Sequence, residues 1–343
     1  MAVTDFDKLF HDFTLLKVAV VGDVMLDTYW WGNVDRISPE APVPVVAVTK
    51  KEHRIGGAGN VALNIASLGA NVSMISVLGK DDDGAQLTAL LQQHKINTQY
   101  LVHSEHRITT NKIRIISRNQ HMMRLDAEMA DDMTTADEDR LLYAFENYIA
   151  AENPAVVILE DYNKGVLTEN VIKKIIVLCK HHHILTAVDP KRKNFFAYEG
   201  VDIFKPNLKE IKDGLNIIRD DINLSVLKDM HLLLQQKLKH CISLITLSEK
   251  GVFYAQRTAS GGHPVDQQEN DAAIIPTHIR SIADVSGAGD TVIAVAALVF
   301  VATGNARQMA EMANIAGGLV CEEVGTVAID KKVLIEECKK LLL

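Results

Sequence analysis

Asp284-Val-Ser-Gly-Ala-Gly-Asp-Thr291 runs directly into an apolar segment, Val292–Ala302, and this junction says most about the fold and the chemistry of the chain. Its two glycines allow a tight turn whose backbone N–H groups face outward. A helix that begins there adds the positive end of its dipole, so the turn is predicted to attract anions. Asp290 lies in the same turn, where a carboxylate can take a proton from an attacking hydroxyl. An anion-binding turn beside a base is what phosphoryl transfer to an alcohol requires, although Gly-x-Gly alone is as typical of an ordinary turn before a buried helix.

The composition is that of a globular protein with one large α/β domain or two modest ones: 343 residues, 48% hydrophobic and 23% charged. A net charge of −8 disfavours a nucleic acid as partner. The longest apolar run is too short to span a bilayer, and the N-terminus lacks the apolar core of a signal peptide, so we expect no membrane association. Four cysteines without a C-x-x-C pair predict reduced thiols and a cytoplasmic location.

Short apolar runs that alternate with helical segments indicate the fold class. The runs Leu15–Val21, Ala155–Leu159 and Ile184–Val188 are typical of buried parallel strands. Strands and helices in alternation predict an α/β fold whose mostly parallel central sheet is flanked by helices on both faces. Two segments, Pro42–Val48 and Thr109–Arg118, have period-2 character without a following helix. They predict a small antiparallel β lid over the edge of the main sheet, which would exclude water.

Residues that suit sugar hydroxyls follow the first strand and open the next helix. Asp23 and Asp27 lie just past the strand, where short carboxylates hold hydroxyls or cap turns. Gly56 and Gly57 would permit close approach of a ligand, and Asn60 can bind neighbouring hydroxyls through its amide. The alternative for this run is a packing turn. It is not a dinucleotide fingerprint, because the first strand ends in Gly-Asp.

Cations that could grip a phosphate group occur in two settings. Lys112, Arg114 and Arg118 alternate along one predicted strand, which would put all three on one face. The alternative is a solvated edge face that discourages aggregation. Lys164 and Lys191 each follow an apolar strand, so both are expected near the same carboxyl edge of the sheet.

Oxygen ligands and hydroxyls follow two later strands. Asn207 and Glu210 open a helix, where they suit a hydrated Mg²⁺ beside phosphates or, alternatively, a capping asparagine with a surface glutamate. Thr246–Gly251 ends a strand with two hydroxyls and a glycine, a plausible wall for nucleotide phosphates. The polar stretch Thr258–Asp271 that follows is predicted to be an exposed loop or a long hairpin.

Taken in order, these motifs resemble those of the ribokinase (PfkB) family of ATP-dependent sugar kinases. The resemblance rests on Gly56–Asn60, Asn207 with Glu210, Thr246–Gly251 and Asp284–Asp290, which match the family's motifs in order and rough spacing. It covers essentially the whole chain. It therefore implies a ribokinase-like fold with a single kinase domain over residues 1–343, into which lid segments at about 28–54 and 98–127 are inserted.

The resemblance also implies a role for each motif. Asp290 would be the catalytic base, and the backbone N–H groups of Gly287, Ala288 and Gly289 would hold the developing charge. ATP would be the cosubstrate. Asp23, Asp27, Gly56, Gly57 and Asn60 would hold the sugar, and Lys164 and Lys191 would also bind the substrate. Strand geometry, rather than the resemblance, makes Lys112, Arg114 and Arg118 the candidates for a phosphate group of the substrate. Asn207 and Glu210 would hold Mg²⁺ through water, and the nucleotide would contact Asn207, Glu210, Thr246, Ser248, Gly251, Gly287, Gly289 and Asn314.

We expect the helix N-terminus to keep the Asp290 carboxylate ionised, so that its value comes from position more than from a raised pKa. Within the family the chain is most similar to the branch that phosphorylates the anomeric hydroxyl of D-glycero-D-manno-heptose 7-phosphate for ADP-heptose and lipopolysaccharide synthesis. The long motif Arg36–Val45 carries most weight, together with Gly22–Asp27, Ser117–Gln120 and Asp161–Gly165. The His-x-Gly-His motif of the nucleotidyltransferase that accompanies this kinase does not occur, so we expect a stand-alone kinase or a kinase fragment.

The substrate is the part of this interpretation with the most alternatives. Another kinase of the family would act on a hexose phosphate, ribose, fructose or a nucleoside. A non-catalytic sugar or nucleotide sensor on the same fold would have no need of Asp290. The antiparallel lid of the family often pairs between two subunits, so a homodimer through the β lid is expected.

Overall fold

The computed structural model describes residues 5–118, 120–219, 221–256, 271–278 and 280–342. The predicted loop Thr258–Asp271 lies outside these residues, apart from Asp271 at the start of the last strand. The strands are β1 Lys17–Gly22, β2 Val24–Ile37, β3 Pro44–Gly57, β4 Asn71–Ile75, β5 Val77–Gly79, β6 Val102–Ser104, β7 Asn111–Ser117, β8 Gln120–Ala127, β9 Val156–Glu160, β10 Leu185–Asp189, β11 Ile203–Phe204, β12 Ile242–Thr246, β13 Val252–Gln256 and β14 Asp271–Ile275.

The helices alternate with these strands along most of the chain. In the part of the chain that the structure describes, none of them is both long and apolar enough to cross a membrane. The helices are α1 Phe6–Asp12, α2 Ala58–Leu68, α3 Asp82–Gln93, α4 Thr135–Glu152, α5 Glu169–His181, α6 Leu208–Leu215, α7 Leu224–Leu238, α8 Ala288–Thr303, α9 Ala306–Val320 and α10 Lys331–Leu342.

The main sheet has eight strands in the order β14-β13-β12-β11-β10-β9-β1-β4. The strands from β12 to β4 run parallel, whereas β13 and β14 are added at the edge as antiparallel strands. The central strands are buried on both faces because helices cover both sides, which is why their sequences are continuous apolar runs. The predicted α/β class with a mostly parallel central sheet is confirmed.

Alternate residues of the central strands divide between two apolar cores, one on each face of the sheet. Val18 and Val20 of β1 pack into the core that contains α2, α8 and α9, and Ala19 and Val21 pack into the core that contains α4, α5 and α7. Helix α8 is apolar on all sides because it lies between the sheet and α9. Its first turn is thereby fixed above the carboxyl ends of the central strands.

The lid is a second sheet with the strand order β3-β2-β7-β8. The hairpins β2–β3 and β7–β8 are antiparallel, as predicted, but β2 and β7 are parallel. The reason is that the chain re-enters the lid at Thr110, whose carbonyl accepts a hydrogen bond from Leu26, so both strands leave the main body in one direction. The lid strands begin at Val24 and Asn111, and the stretch 98–110, predicted as lid, lies outside this sheet.

Candidate active site

Polar side chains collect where the central strands end. Glu160 and Asp189 are the last residues of β9 and β10, Asp23 follows β1, and Lys205 follows β11. All four are buried. Because the carboxyl ends of neighbouring parallel strands meet at one edge, these groups form a continuous polar floor beneath the N-terminus of α8.

Asp290, the predicted base, lies in the first turn of α8 and is 4% exposed. Its Oδ2 accepts a hydrogen bond of 2.7 Å from Nδ2 of Asn60, and its Oδ1 accepts one of 2.7 Å from the hydroxyl of Tyr162. Asn60 is held in turn by Asn64, whose amide donates to the Asn60 carbonyl at 2.8 Å. The carboxylate therefore has a fixed orientation, which a base needs before its substrate arrives.

The expectation that the pKa of Asp290 is not raised is wrong. Burial disfavours the charged carboxylate and raises its pKa to about 6, although the hydrogen bonds from Asn60 and Tyr162 and the charge of Lys205 oppose this. The helix N-terminus does not outweigh the loss of solvent. A base with this pKa is still mostly ionised at neutral pH and has a higher proton affinity than an exposed aspartate.

The glycine turn before Asp290 has the geometry of an anion site. Gly287 caps α8 with φ of 80°, a left-handed conformation that favours glycine, and a Cβ there would lie 2.7 Å from Nδ2 of Asn60. The N–H of Ala288 donates to the Val285 carbonyl at 3.3 Å. No described residue accepts a hydrogen bond from the N–H of Gly287 or Gly289. Of the three donors predicted for the anion, two are thus free at the positive end of the helix.

Two lysines balance the acids of the floor. The carboxylate oxygens of Glu160, Asp189 and Asp290 lie within 4.8 Å of one another. Asp189 forms ion pairs with Lys205 at 2.7 Å and Lys191 at 3.3 Å, and these two cations lower its pKa although burial opposes them. The side-chain oxygens of Glu160 have no hydrogen-bond partner among the described residues, and burial beside two other carboxylates raises its pKa well above the usual range. Because Glu160 is neutral and Lys205 and Lys191 compensate the charge of Asp189, three buried carboxyl groups can lie this close together.

Sequence reasoning gave no role to Tyr162, Glu160, Asp189 or Lys205. The signal that could have found three of them is the one that singled out Asp23: each is the first charged residue at the end of an apolar strand. Tyr162 has no such signal, because its contact with Asp290 depends on how the loop after β9 folds over the floor.

Asn207 and Glu210 form a capping box at the start of α6, which is the alternative that spacing left open. The Asn207 side chain accepts from the Glu210 N–H at 2.8 Å, and Glu210 accepts from the Asn207 N–H at 2.8 Å. Glu210 also accepts from Lys191 at 3.0 Å. The side chain of Glu210 is 13% exposed, and its oxygens keep lone pairs for further donors. The pair therefore fits a hydrated Mg²⁺ held through water, and not one ligated directly without rearrangement.

The predicted nucleotide residues lie along the adjoining edge. Asn207 forms a β-bridge with Thr246, which places the capping box beside the end of β12. Ser248 and Gly251 form the turn into β13, and a Cβ on Gly251 would clash with the Ile275 carbonyl. Across the same strand end, the amide of Asn314 donates to the Pro276 carbonyl at 2.9 Å. These residues lie at the end of the main sheet that β12, β13 and β14 form.

The Asp23 carboxylate, predicted as a sugar ligand, accepts three hydrogen bonds from the backbone, so fewer of its lone pairs are left for a sugar. It accepts from the N–H groups of Tyr162 and Lys164 at 2.8 and 3.0 Å and from that of Val166 at 3.0 Å. The side chain is 1% exposed. Its evident task is to shape the loop that carries Tyr162 to the base.

Asp27 lies on the inner face of the lid and contacts several predicted partners. Its Oδ1 forms an ion pair of 2.6 Å with Arg114, and a Cβ on Gly56 would lie 2.5 Å from its Oδ2. Gly57 has φ of 59° and ends β3 against the Asp23 carbonyl. The guanidinium of Arg114 also lies 5.2 Å from the ring centre of Tyr29.

The three lid cations do not share one face. Lys112 pairs in register with Asp27, and Arg114 follows two residues later on the same inner face. Arg118 lies in the turn after β7 with φ of 49°, because the strand ends at Ser117, so the alternation of side chains along the strand does not extend to it. Lys164 forms an ion pair of 2.7 Å with Glu128 just after β8.

Comparison with known proteins assigns the family. The profile of the pfkB family of carbohydrate kinases matches residues 15–332. The chain is 35% identical over 323 residues to the "Bifunctional protein HldE" of Sulfurimonas denitrificans, and it spans 94% of its own length and 64% of that protein. It is 40% identical over 315 residues to the protein of the same name in Caulobacter vibrioides, spanning 90% of itself and 60% of the relative. The chain therefore spans less than two thirds of these relatives.

Solved structures support the fold alone, since their identities are low. Phosphofructokinase-2 from Escherichia coli in complex with potassium has a TM-score of 0.74 at 17% identity, with 94% of this chain and 99% of that chain covered. Ribokinase from Arabidopsis thaliana with ribose and ATP has a TM-score of 0.67 at 17% identity, with 94% and 98% covered. Together with the buried carboxylate at the head of α8, these findings show that the chain is a phosphotransferase with an alcohol group of a sugar as acceptor, has a ribokinase-like fold and belongs to the pfkB family of carbohydrate kinases.

Proposed function

We propose that the protein is an ATP-dependent kinase that transfers a phosphoryl group to the anomeric hydroxyl of D-glycero-D-manno-heptose 7-phosphate. The product would be the 1,7-bisphosphate, a precursor of ADP-heptose and of the inner core of lipopolysaccharide. The observation that carries the kinase chemistry is the juxtaposition of the buried carboxylate of Asp290 with the N–H groups of Gly287 and Gly289, for which no described residue is the acceptor. The sugar assignment rests on the motif Arg36–Val45 and on the similarity to the HldE proteins.

In this mechanism Asp290 accepts the proton of the anomeric hydroxyl as its oxygen attacks the γ-phosphorus of ATP. The bond between that phosphorus and the bridging oxygen breaks, ADP leaves, and the proton remains on the carboxylate until solvent takes it. Negative charge on the phosphoryl oxygens would be met by Gly287, Gly289 and the ammonium of Lys205, which lies 3.6 Å from the position of a Cβ on Gly289. Asn60 and Tyr162 keep the base oriented throughout.

Asn207 and Glu210 would hold Mg²⁺ through water, and Thr246, Ser248, Gly251 and Asn314 would line the nucleotide. When bound with ATP, Mg²⁺ supplies positive charge to the β- and γ-phosphates. The ammonium of Lys191 connects the polar floor to the capping box, because it forms ion pairs with both Asp189 and Glu210. It is therefore available beside the phosphate chain without a change in the fold.

Lys112 and Arg114 are the proposed partners of the 7-phosphate of the sugar. Both lie on the inner face of the lid beside Asp27, which would bind a sugar hydroxyl. The ammonium of Lys112 forms no ion pair with any described residue, so it can meet an incoming phosphate without breaking a contact. The ion pair with Asp27 would orient Arg114 for the same task.

We propose a homodimer that is formed through the outer face of the lid. On that face Leu125 pairs with Ile113 and Met123 pairs with Ile115, and Met123 and Leu125 are 56% and 43% exposed. An apolar sheet face of this kind favours a partner over water. Light scattering should give twice the chain mass, and a charge introduced by Met123→Glu should shift the protein towards monomer.

A cytoplasmic location is proposed from the thiols. Among the described residues, Cys179, Cys321 and Cys338 form no disulfide. Burial raises the pKa of Cys179 and of Cys338 to about 12, so neither is a reactive thiolate. Such structural thiols suit a reducing compartment.

A coupled assay of ADP release with MgATP tests the proposed substrate. The panel contains heptose 7-phosphate, fructose 6-phosphate, ribose, fructose and adenosine. Turnover selective for heptose 7-phosphate is expected. Turnover on an unphosphorylated sugar would retain the role of Asp290 and remove the phosphate contact with the lid, whereas no turnover on any of the five would favour a sensor.

A further inference from the structure

Arg54 joins the lid to the main body beside the glycine turn Gly287–Gly289, which is called the anion turn below. It lies on β3 opposite Asp27, so its side chain belongs to the inner face of the lid. Its Nη1 donates to the carbonyl oxygens of Val324 and Thr326 at 3.2 and 3.4 Å. The guanidinium also lies 4.9 Å from the ring centre of Tyr29. One lid side chain therefore holds the backbone of a turn that is distant in sequence.

That turn is bonded to the residues that precede the catalytic helix. The N–H of Gly325 donates to Oδ2 of Asp284 at 2.9 Å. The Oδ1 of Asp284 accepts from the N–H and the hydroxyl of Ser286 at 3.0 and 2.8 Å. A methyl carbon of Thr326 lies 3.3 Å from the position of a Cβ on Gly287. The shape of the anion turn thus depends on residues 324–326.

Two lid side chains, Arg54 and Tyr29, lie close to the backbone of Gly325. Gly325 has φ of 76°, and a Cβ there would lie 2.6 Å from Nη1 of Arg54 and 3.3 Å from the hydroxyl of Tyr29. The Arg54 side chain is 26% exposed, so its effect on this turn is carried by the two hydrogen bonds from Nη1 to the carbonyls of residues 324 and 326.

We propose that Arg54 is a positioning residue that couples the sugar to the nucleotide. This inference rests on the proposed placement of the sugar at Asp27 and of the phosphates at Gly287 and Gly289. A sugar that fixes the inner face of the lid fixes Arg54, and Arg54 then sets the anion turn through residues 324–326. The sugar and the nucleotide should therefore strengthen each other's binding by the same factor, since coupling between two sites is reciprocal.

Calorimetric titration of the full-length protein with the magnesium complex of AMP-PNP, with and without saturating sugar, measures this coupling. The sugar is heptose 7-phosphate or, if the wild type does not phosphorylate it, the panel sugar that the wild type does phosphorylate. The sugar should tighten nucleotide binding by about 5- to 20-fold in the wild type. Arg54→Ala should reduce the ratio to within about twofold of one, and Arg54→Lys should restore part of it, because a single ammonium can still reach one carbonyl.

Arg124→Ala is the matched control. Arg124 lies on the same face of the lid, and the only ion pair that it forms with a described residue is with Asp126. It should keep the wild-type ratio. Melting temperatures check that each variant folds, and Arg54→Gln serves if Arg54→Ala does not. An unchanged ratio in the Arg54 variants, an equal loss in Arg124→Ala, or no coupling in the wild type would overturn the proposal. Failure to phosphorylate heptose 7-phosphate would reject only the proposed substrate.

Discussion

Tyr162→Phe should move the acid limb of the pH–rate profile while leaving the catalytic base in place. The Tyr162 hydroxyl donates to Asp290 at 2.7 Å, and this bond helps the buried carboxylate to stay ionised. Asp290 must be ionised to accept the proton of the sugar. The value of kcat/KM should therefore fall as the pH drops through the pKa of Asp290, which burial raises to about 6 in the wild type.

The size of the change follows from the bond that is lost. A hydrogen bond to a charged group contributes about 1.5–3 kcal/mol. Because one pH unit corresponds to about 1.4 kcal/mol, the variant should have its midpoint about one to two pH units higher. The phenyl ring remains, so the contact with the ammonium of Lys191, 5.4 Å from the ring centre, is kept. At neutral pH the variant should be slower chiefly because less of its base is ionised.

The assay is kcat/KM for the sugar from about pH 5 to 9 at saturating MgATP, with circular dichroism to confirm folding at each pH. Tyr198→Phe is the matched control, because its hydroxyl donates to Asp161 at 2.7 Å and not to the base. Its midpoint should stay at the wild-type value. The reasoning fails if Tyr162→Phe leaves the midpoint unchanged, or if both variants move it equally.

Three further changes test the base, the lid and the core. Asp290→Asn should lower kcat by roughly 10²–10⁴-fold with nearly unchanged nucleotide affinity, and near-normal turnover would remove its role as base. Arg114→Ala should raise KM for a phosphorylated sugar more than for its dephosphorylated analogue, whereas Arg118→Ala, in the turn after β7, should leave both nearly unchanged. His231 and His240 both contact the Ser243 hydroxyl, and burial lowers their pKa values to about 4 and about 3. In the unfolded state these histidines take up protons at a higher pH than in the folded state, so acidification from pH 6.5 to 5 should lower the free energy of unfolding by about 2 kcal/mol per histidine. His240→Gln removes one of these histidines, so over the same range its free energy of unfolding, measured by urea unfolding, should fall by less than that of the wild type. Equal acid losses in His240→Gln and the wild type would contradict this.

The central sheet and the catalytic turn could be predicted because local patterns determine them. Continuous apolar runs have few uses other than buried parallel strands, and the glycines before Asp290 need a turn that leads into a helix. Several elements escaped prediction, among them α1, α4 and β14. The helices α1 and α4 are amphipathic surface helices with many charged residues, and β14 is an edge strand that follows a polar stretch. Their apolar faces are defined by what they pack against.

Several residues of the site could be predicted from the sequence, but the hydrogen bonds between them could not. Asp290 and Asn60 were identified separately, but the hydrogen bond between them joins α2 to α8 and has no local signal. The raised pKa of Asp290 likewise depends on burial beneath neighbouring elements, which a sequence pattern cannot weigh against a helix dipole. Arg118 was grouped with Lys112 and Arg114 because a period-2 pattern does not show where a strand ends, and β7 turns after Ser117.

The position of β1 inside the main sheet has a consequence for biosynthesis. Residue 18 pairs with residue 72 on one side but with residue 156 on the other, so one edge of β1 stays open while about 80 further residues leave the ribosome. The base is completed later still, when Asp290 reaches Asn60. A nascent chain that is arrested between β4 and β9 can hold a folded lid hairpin and only two strands of the main sheet, and such intermediates with open strand edges are the species that molecular chaperones would need to shield.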